Sequence, residues 1–437
     1  MKRIFLFGFM SGFPWVLIGS ALSLWLKESD LSRSTIGWAG LIFSVYAINF
    51  LWSPLVDRIH IPYLSNKIGH RKSWIISMQG IILLSLILWS CLDPSENLWL
   101  IIAVGLGIAI SSATQDITID ALRIEQIKEN EGRAMAAGAA ISVVGWWTGY
   151  KIGGLISLVS ADFFQQKGFE NYWQLSFLIL GVIIILTSVA LILIPEKSSK
   201  QRKLLQEKND NRLIHKIKIN NQFSKLTSWL YRLTVNPILS FFKKNSLSVA
   251  IGLLSFIFLF KIGEAFLGRM SIIFYNEIGF SKTDIALYSK GIGWITTITF
   301  TLLGGLFAIR MGLIKAMFVS GVVMALTNLM FAVLAWVDKS EILFAFAVLL
   351  DDLAAAFATV AFVGFISALV DRTYTATQYA LLASIGTAGR TLFASSSGAF
   401  VDWLNGDWGI FFIITALMVI PSLICLLAIK NKLKLNE

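Results

Sequence analysis

Twelve apolar stretches of 20 residues or more run through the chain, at roughly 4–26, 34–56, 73–92, 97–119, 134–160, 172–194, 247–268, 282–308, 314–337, 341–369, 376–401 and 409–430. Each is long enough for an α-helix to cross about 30 Å of hydrocarbon at about 1.5 Å per residue. A segment in hydrocarbon must satisfy its own backbone N–H and C=O groups, so each stretch reads as a transmembrane helix. Composition agrees: 56% of the 437 residues are apolar, 14% are charged and mean hydropathy is +0.73. The opening Met1-Lys2-Arg3 before an apolar run resembles a signal peptide. No small-x-small cleavage site follows it, and an uncleaved first span is expected.

Pro195 to Ser246 interrupts the series after the sixth span, with twelve Lys or Arg against three Asp or Glu. Three parts result: a six-span half over 1–194, a basic linker over 195–246 and a second six-span half over 247–437. In the linker, Trp229-Leu230-Tyr231-Arg232 through Phe241-Phe242-Lys243-Lys244 mixes aromatics with cations, a pattern suited to a helix on an anionic membrane face. A solvated basic linker is the alternative. Basic residues also sort by side. Counting Lys282, Lys315 and Lys430, at the ends of their spans, with the adjoining loops, the N-terminus, the loops after even-numbered spans and the C-terminus hold 27 Lys or Arg, and the loops after odd-numbered spans hold six. The richer side is expected to be cytoplasmic, which puts both termini and the linker there. The formal charge of +11 is then a matter of topology, and no nucleic-acid partner is expected. Cys91 and Cys425 fall towards opposite membrane faces, so no bridge is expected between them. His60, His70 and His215 have no metal-ligand spacing, and neither metal nor cofactor is expected.

Charges inside spans are costly and normally face the interior of the bundle, where they mark a pathway. The embedded bases are Lys151, Lys261, Lys290 and Arg390. The embedded acids are Asp116, Glu264, Asp351 and Asp352, with Asp120 at a span edge. Acids on the fourth span and a base on the fifth recur in both halves. Two six-helix halves related by an axis along the membrane normal are the architecture of major facilitator transporters. The expected fold is therefore an all-α integral membrane bundle of twelve transmembrane helices.

The second loop reads Trp52-Ser53-Pro54-Leu55-Val56-Asp57-Arg58, then Gly69-His70-Arg71-Lys72. An acid at a helix end with basic residues returning from the next helix suits a clasp. Asp57 would be held by Arg58 or Arg71 and by helix N-terminal amides. This stretch from Phe50 to Arg58 resembles the AmpG-type muropeptide permeases. So do Gly12-Phe13-Pro14, Ser112-Ala113-Thr114-Gln115-Asp116-Ile117 and Ala376-Thr377-Gln378-Tyr379-Ala380-Leu381-Leu382. The resemblance runs from the first span to the last, with the linker unmatched. It implies proton-driven import of anhydro-muropeptides, the sugar–peptide fragments of peptidoglycan recycling, across the bacterial inner membrane. It also brings Gln115 and Gln378 into the substrate-binding set. The tenth span departs from the family. Where a Glu-Asn and a Gly-rich turn are usual, this chain has Asp351-Asp352-Leu353-Ala354-Ala355-Ala356, which limits close helix approach.

Depth along each span places Asp351 and Asp352 about 15 Å in, near the midplane. Lys151, Lys261, Glu264, Lys290 and Arg390 come out at or beyond it on the periplasmic side. Cations there suit an anionic small molecule arriving from outside. Lys151, Lys261, Lys290 and Arg390 are therefore substrate-binding candidates, with Trp146 and Tyr150 stacking on a sugar face. The alternatives are helix packing for the tryptophans, an i,i+3 pair for Lys261 and Glu264, and snorkelling for Lys290. Asp351, Asp352, Glu264 and Asp116 are the proton-coupling candidates. Asp351 and Asp352 project about 100° apart, so one can face a cavity while the other meets a helix. Asp57, Arg58, Arg71, Asp120 and Arg123 form the expected cytoplasmic gate.

No nucleophile and base stand together at a membrane face, and no G-x-x-x-x-G-K-[ST] occurs. An enzyme and an ATP-driven pump are both disfavoured. The expected function is proton-coupled import, with a sugar phosphate or a coenzyme A thioester as the alternative solute.

Overall fold

The computed structural model describes residues 1–29, 31, 39–127, 132–196, 204, 237–243, 245–280, 293–337, 339–394 and 396–433. All regular secondary structure among them is helical. Eight of these helices are long and apolar enough to cross a membrane, and two shorter apolar helices, Ile42–Leu51 and Ile295–Met311, lie in the second and eighth expected spans. Lys290 and most of the aromatic-and-basic part of the linker lie outside the described residues.

The chain divides into two compact units. Unit one comprises Met1–Gln126, Ile141–Leu239 and Asp371–Ala380; unit two comprises Ile127–Ala140, Ser240–Val370 and Leu381–Glu437. Linker apart, the units differ from the halves 1–194 and 247–437 by two short pieces, 127–140 and 371–380.

In unit one, α1 (Lys2–Leu26) is followed by helical fragments that end in α2 (Ser53–Arg58), then α3 (His70–Trp89), α4 (Pro94–Gln126), α5 (Gly132–Gln166, its start assigned to unit two) and α6 (Tyr172–Ile192). Pro14 offers no N–H to the ladder of α1, and a π turn follows at Leu17–Ala21. The second span is expected as one rod. Its described part is instead a series of 3-10 and α pieces, Gly40–Ser44, Val45–Ile48 and Asn49–Leu51, before Pro54 opens α2. The fourth span runs further than its hydropathy indicates. α4 continues to Gln126, so Asp116 sits about 15 Å short of the helix end rather than at it.

Glycines let α1 and α5 touch. Gly8 and Gly12 on α1 face Gly145 and Gly149 on α5, a small-xxx-small pair on each side. A Cβ at Gly8 or Gly12 would run into the carbonyl oxygen of Ser142 or Trp146; one at Gly149 would run into that of Phe9. A buried aromatic knot holds the other end of the unit, with Trp25 4.9 Å from Phe177 and 5.8 Å from Trp89 between ring centroids.

Unit two holds α7 (Leu247–Leu259), α8 (Ile262–Glu277), α9 (Gly293–Met311), α10 (Leu313–Trp336), α11 (Glu341–Leu369), α12 (Thr375–Ala394, its first turns in unit one), α13 (Ser397–Trp403), α14 (Trp408–Leu417) and α15 (Ile420–Ile429). The seventh span is interrupted at Phe260 and Lys261, between α7 and α8. The last breaks before Pro421, which cannot continue the hydrogen-bond ladder. The glycine device recurs: a Cβ at Gly389 of α12 would meet the carbonyl oxygen of Phe258 in α7. Phe274, Phe331, Phe344, Phe411 and Phe412 fill the core. Outward-facing Leu84, Leu155, Leu186 and Ile424 are largely exposed, while Asp57, Arg71, Arg123 and Lys261 are buried. Apolar outside and charged inside is the arrangement of a protein dissolved in lipid.

Candidate functional site

In unit two, the break in the seventh span puts Lys261 beside α11. Its ammonium donates to Thr359 Oγ1 at 2.8 Å and pairs with Glu264 at 3.1 Å. The i,i+3 pair anticipated for these two residues is thus present, and it borders a cavity. That cavity, of about 430 Å³, is lined by Glu264, Gly268, Asp351, Ala355, Thr387 and Arg390 among others. Arg390 is exposed to it and has no ion pair among the described residues, and Asp351 likewise has no hydrogen-bond or ion-pair partner there. Lys261 feels the charges of Glu264, Arg390 and Asp351 together. The four groups form one electrostatic cluster of two acids and two bases. Asp352 points elsewhere, as its 100° offset requires. It accepts from Thr296 at 2.7 Å at the edge of a second, mostly apolar cavity.

In unit one, Asp116 accepts from Ser11 at 2.7 Å, and no cation among the described residues pairs with it. Tyr46 donates to Ser112 at 2.7 Å and Trp52 to Thr114 at 2.9 Å. Trp146 stacks on Tyr150, and the Lys151 ammonium lies 5.9 Å from the Trp147 ring centroid. Gln115 is fully buried and its amide donates to the Met10 carbonyl at 2.6 Å. Gln378 is buried too, accepting from the Asp371 N–H and donating to the Pro237 carbonyl. Gln378 is committed to backbone at both ends of its amide, whereas Gln115 commits its N–H₂ to backbone and leaves a buried Oε1 without a hydrogen bond.

The clasp is the most completely built of the three. Of the two arginines expected at Asp57, Arg71 holds it, at 2.6 Å, and Arg58 does not. The amides promised by the helix-end argument come from α12: Ala376 N–H at 3.2 Å, Thr377 N–H at 2.8 Å and the Thr377 hydroxyl at 2.6 Å. A carboxylate at a helix N-terminus satisfies donors that have no partner within the helix. Arg71, fully buried, also reaches the Val56 carbonyl at 3.0 Å and Glu125 at 2.8 Å. Glu196 caps the start of α3 through the Arg71 and Lys72 N–H groups, and Lys72 returns the favour at the Ile194 carbonyl past the end of α6. Burial pushes the Glu196 carboxyl up, against those two backbone donors. Asp120 pairs with Arg123 at 2.9 Å, and that guanidinium lies over the Tyr379 ring. Glu125, Glu196 and Thr377 were invisible as partners in the sequence. Only Thr377 carried any signal, as a member of the Ala376-Thr377-Gln378 stretch that resembles the permeases.

Comparison with known proteins bears on the family and the fold. The family description Major Facilitator Superfamily matches residues 4–349. A Rickettsia felis protein carrying the name transporter AmpG 4 is 33% identical over 430 residues, 98% of this chain and 96% of its own length. The anhydromuropeptide permease of Escherichia coli K12 is 28% identical over 433 residues, 99% of this chain and 80% of its own length. Among solved structures, the proton:xylose symporter XylE superposes with a TM-score of 0.60 at 15% identity, covering 98% of this chain and 94% of that one.

Proposed function

This chain belongs to the Major Facilitator Superfamily, among the AmpG-type permeases, and on that footing we propose that it imports anhydromuropeptides with protons by alternating access in the bacterial inner membrane. That it is a multi-pass membrane transporter follows from the family; substrate, coupling and sidedness are the proposal. One observation carries it: the four charges of unit two gathered round an open cavity, with Arg390 and Asp351 the two members lacking a partner of their own among the described residues.

Charge bookkeeping then couples the two cargoes. Glu264 and Lys261 neutralise each other. Arg390 balances Asp351 while both are ionised and the cavity is empty. A proton on Asp351 leaves Arg390 uncompensated, and the carboxylate of a stem peptide restores neutrality there. Carrying the half-loaded cavity through hydrocarbon means burying a net charge, which is costly. The empty and the doubly loaded forms are the ones that can reorient. Binding of either cargo strengthens binding of the other by the same factor. We assign the Asp57–Arg71–α12 clasp to the cytoplasmic gate, on the side where the basic residues collect.

Proteoliposomes containing only this protein, acidic outside, should accumulate labelled anhydromuropeptide, and an uncoupler should abolish accumulation. Accumulation indifferent to the uncoupler removes proton coupling. Full competition by an excess of a sugar phosphate moves the substrate to that class. Sidedness is tested by single cysteines placed at 195–246: an impermeant thiol reagent should leave them unlabelled in intact spheroplasts, and labelling there reverses the orientation.

A further inference from the structure

We propose that unit one carries a separate binding face for an uncharged N-acetylated sugar ring, built from Trp15, Tyr46, Trp146 and Tyr150 around Asp116. The inference rests on the muropeptide reading and assigns the saccharide part of its substrate to unit one.

A pyranose ring has two apolar C–H faces and a rim of hydroxyls. A site for it needs a flat aromatic surface with a few acceptors and donors at the edge, and no excess charge. Trp146 and Tyr150, one helical turn apart on α5, lie 5.6 Å apart at 15°, forming one broad strip. Trp15 of α1 stands nearly upright against that strip, 5.5 Å from Trp146 at 71°, and Tyr46 backs it at 4.5 Å. Strip and wall make a corner. All four rings are only partly buried. The α1–α5 glycine contact at Gly12 and Trp146 sets the distance between strip and wall.

The rim of this corner is polar and incomplete. Asp116 uses Oδ1 for Ser11, and its Oδ2 has no hydrogen bond among the described residues. The Trp15 indole N–H is buried and makes no hydrogen bond of good geometry among the described residues, although it stands near enough to the Asp116 carboxylate to act on it. A buried donor left open beside an open acceptor is expensive in a protein alone. A ligand hydroxyl, which both donates and accepts, satisfies the two at once. Tyr46 donates its proton to Ser112, so its oxygen is left as an acceptor. No cation pairs with Asp116 among the described residues, and Lys151 lies on the Trp147 ring instead. A carboxylate ligand would find no counter-charge on Asp116 or its described neighbours here, and a neutral sugar needs none.

The test measures binding to the purified full chain by calorimetry, with two probes: the neutral disaccharide diacetylchitobiose, and an acidic tripeptide of alanine, glutamate and diaminopimelate. Trp15→Phe, which keeps an aromatic ring but shortens it and deletes the N–H, and Trp146→Ala should each weaken diacetylchitobiose at least tenfold and leave the tripeptide within twofold. Arg390→Gln should do the reverse. Retained tripeptide binding shows that a tryptophan variant is folded. If Trp146→Ala does not fold, Trp15→Phe and Asp116→Asn decide. Diacetylchitobiose binding that survives these substitutions, or that is absent from the unaltered protein, overturns the sugar face. The importer reading stands or falls separately, on uptake of the intact muropeptide.

Discussion

The α1–α5 seam makes a sharp prediction through two glycines of one helix. A Cβ at Gly149 would lie 3.0 Å from both the carbonyl carbon and the Cα of Phe9 and would overlap its oxygen, whereas a Cβ at Gly154 meets nothing within 4 Å. Gly→Ala gains about 1 kcal/mol of helix propensity at either site. At Gly154 that gain stands alone, so Gly154→Ala should be neutral or stabilising by up to about 1 kcal/mol. At Gly149 the backbone of α1 must move away, and overpacking of this kind costs about 1–3 kcal/mol. Propensity cancels between the two variants, so their difference isolates the seam: Gly149→Ala should be about 1–3 kcal/mol less stable than Gly154→Ala. Unfolding of the purified protein in mixed detergent, followed by tryptophan fluorescence, measures it. The movement should also displace Trp146 from Trp15. Equal stability of the two variants would refute the close contact, and with it the support argued for the aromatic corner.

Asp351→Asn should bind and exchange muropeptide but fail to accumulate it, whereas normal proton-driven accumulation by the Asp351→Asn/Asp352→Asn double variant would remove both acids from coupling. Arg71→Lys should lower stability by about 1–3 kcal/mol and uptake severalfold, because one ammonium cannot hold Asp57, Glu125 and the Val56 carbonyl together; unaltered unfolding and uptake would show that the clasp needs no guanidinium. The Glu196 carboxyl, raised by burial, binds more protons folded than unfolded. Its contribution to stability is therefore full below the ordinary glutamate range and is lost as pH rises through the folded value. Unfolding midpoints measured over that window should fall with rising pH in the unaltered protein and less so in Glu196→Gln; parallel profiles would count against the shift.

Reading the sequence located the helices well and their partners poorly. Span positions, the six-plus-six division and the list of embedded charges could be read residue by residue, because the cost of a residue in hydrocarbon depends on that residue alone. The Asp57–Arg71 contact was within reach for a related reason: helix end and returning helix are neighbours in the chain. So was the Lys261–Glu264 pair, since three residues on a helix share a face. α4 runs on to Gln126, past the expected span edge at Asp120, because a polar helical end carries no hydropathy signal. Which groups remain open to a ligand was decided by tertiary structure. Gln115 and Gln378 look available in the chain, yet packing commits both to backbone carbonyls. Trp15 reads as an ordinary apolar residue until α1 and α5 are brought together. The glycines doing this, at 8, 12, 145 and 149, are visible in the sequence, but nothing local says that they face one another across more than a hundred residues. Hydropathy puts a helix in the membrane and leaves its rotation and its neighbours degenerate. Those are settled only when backbones meet and each buried polar atom has to find a partner.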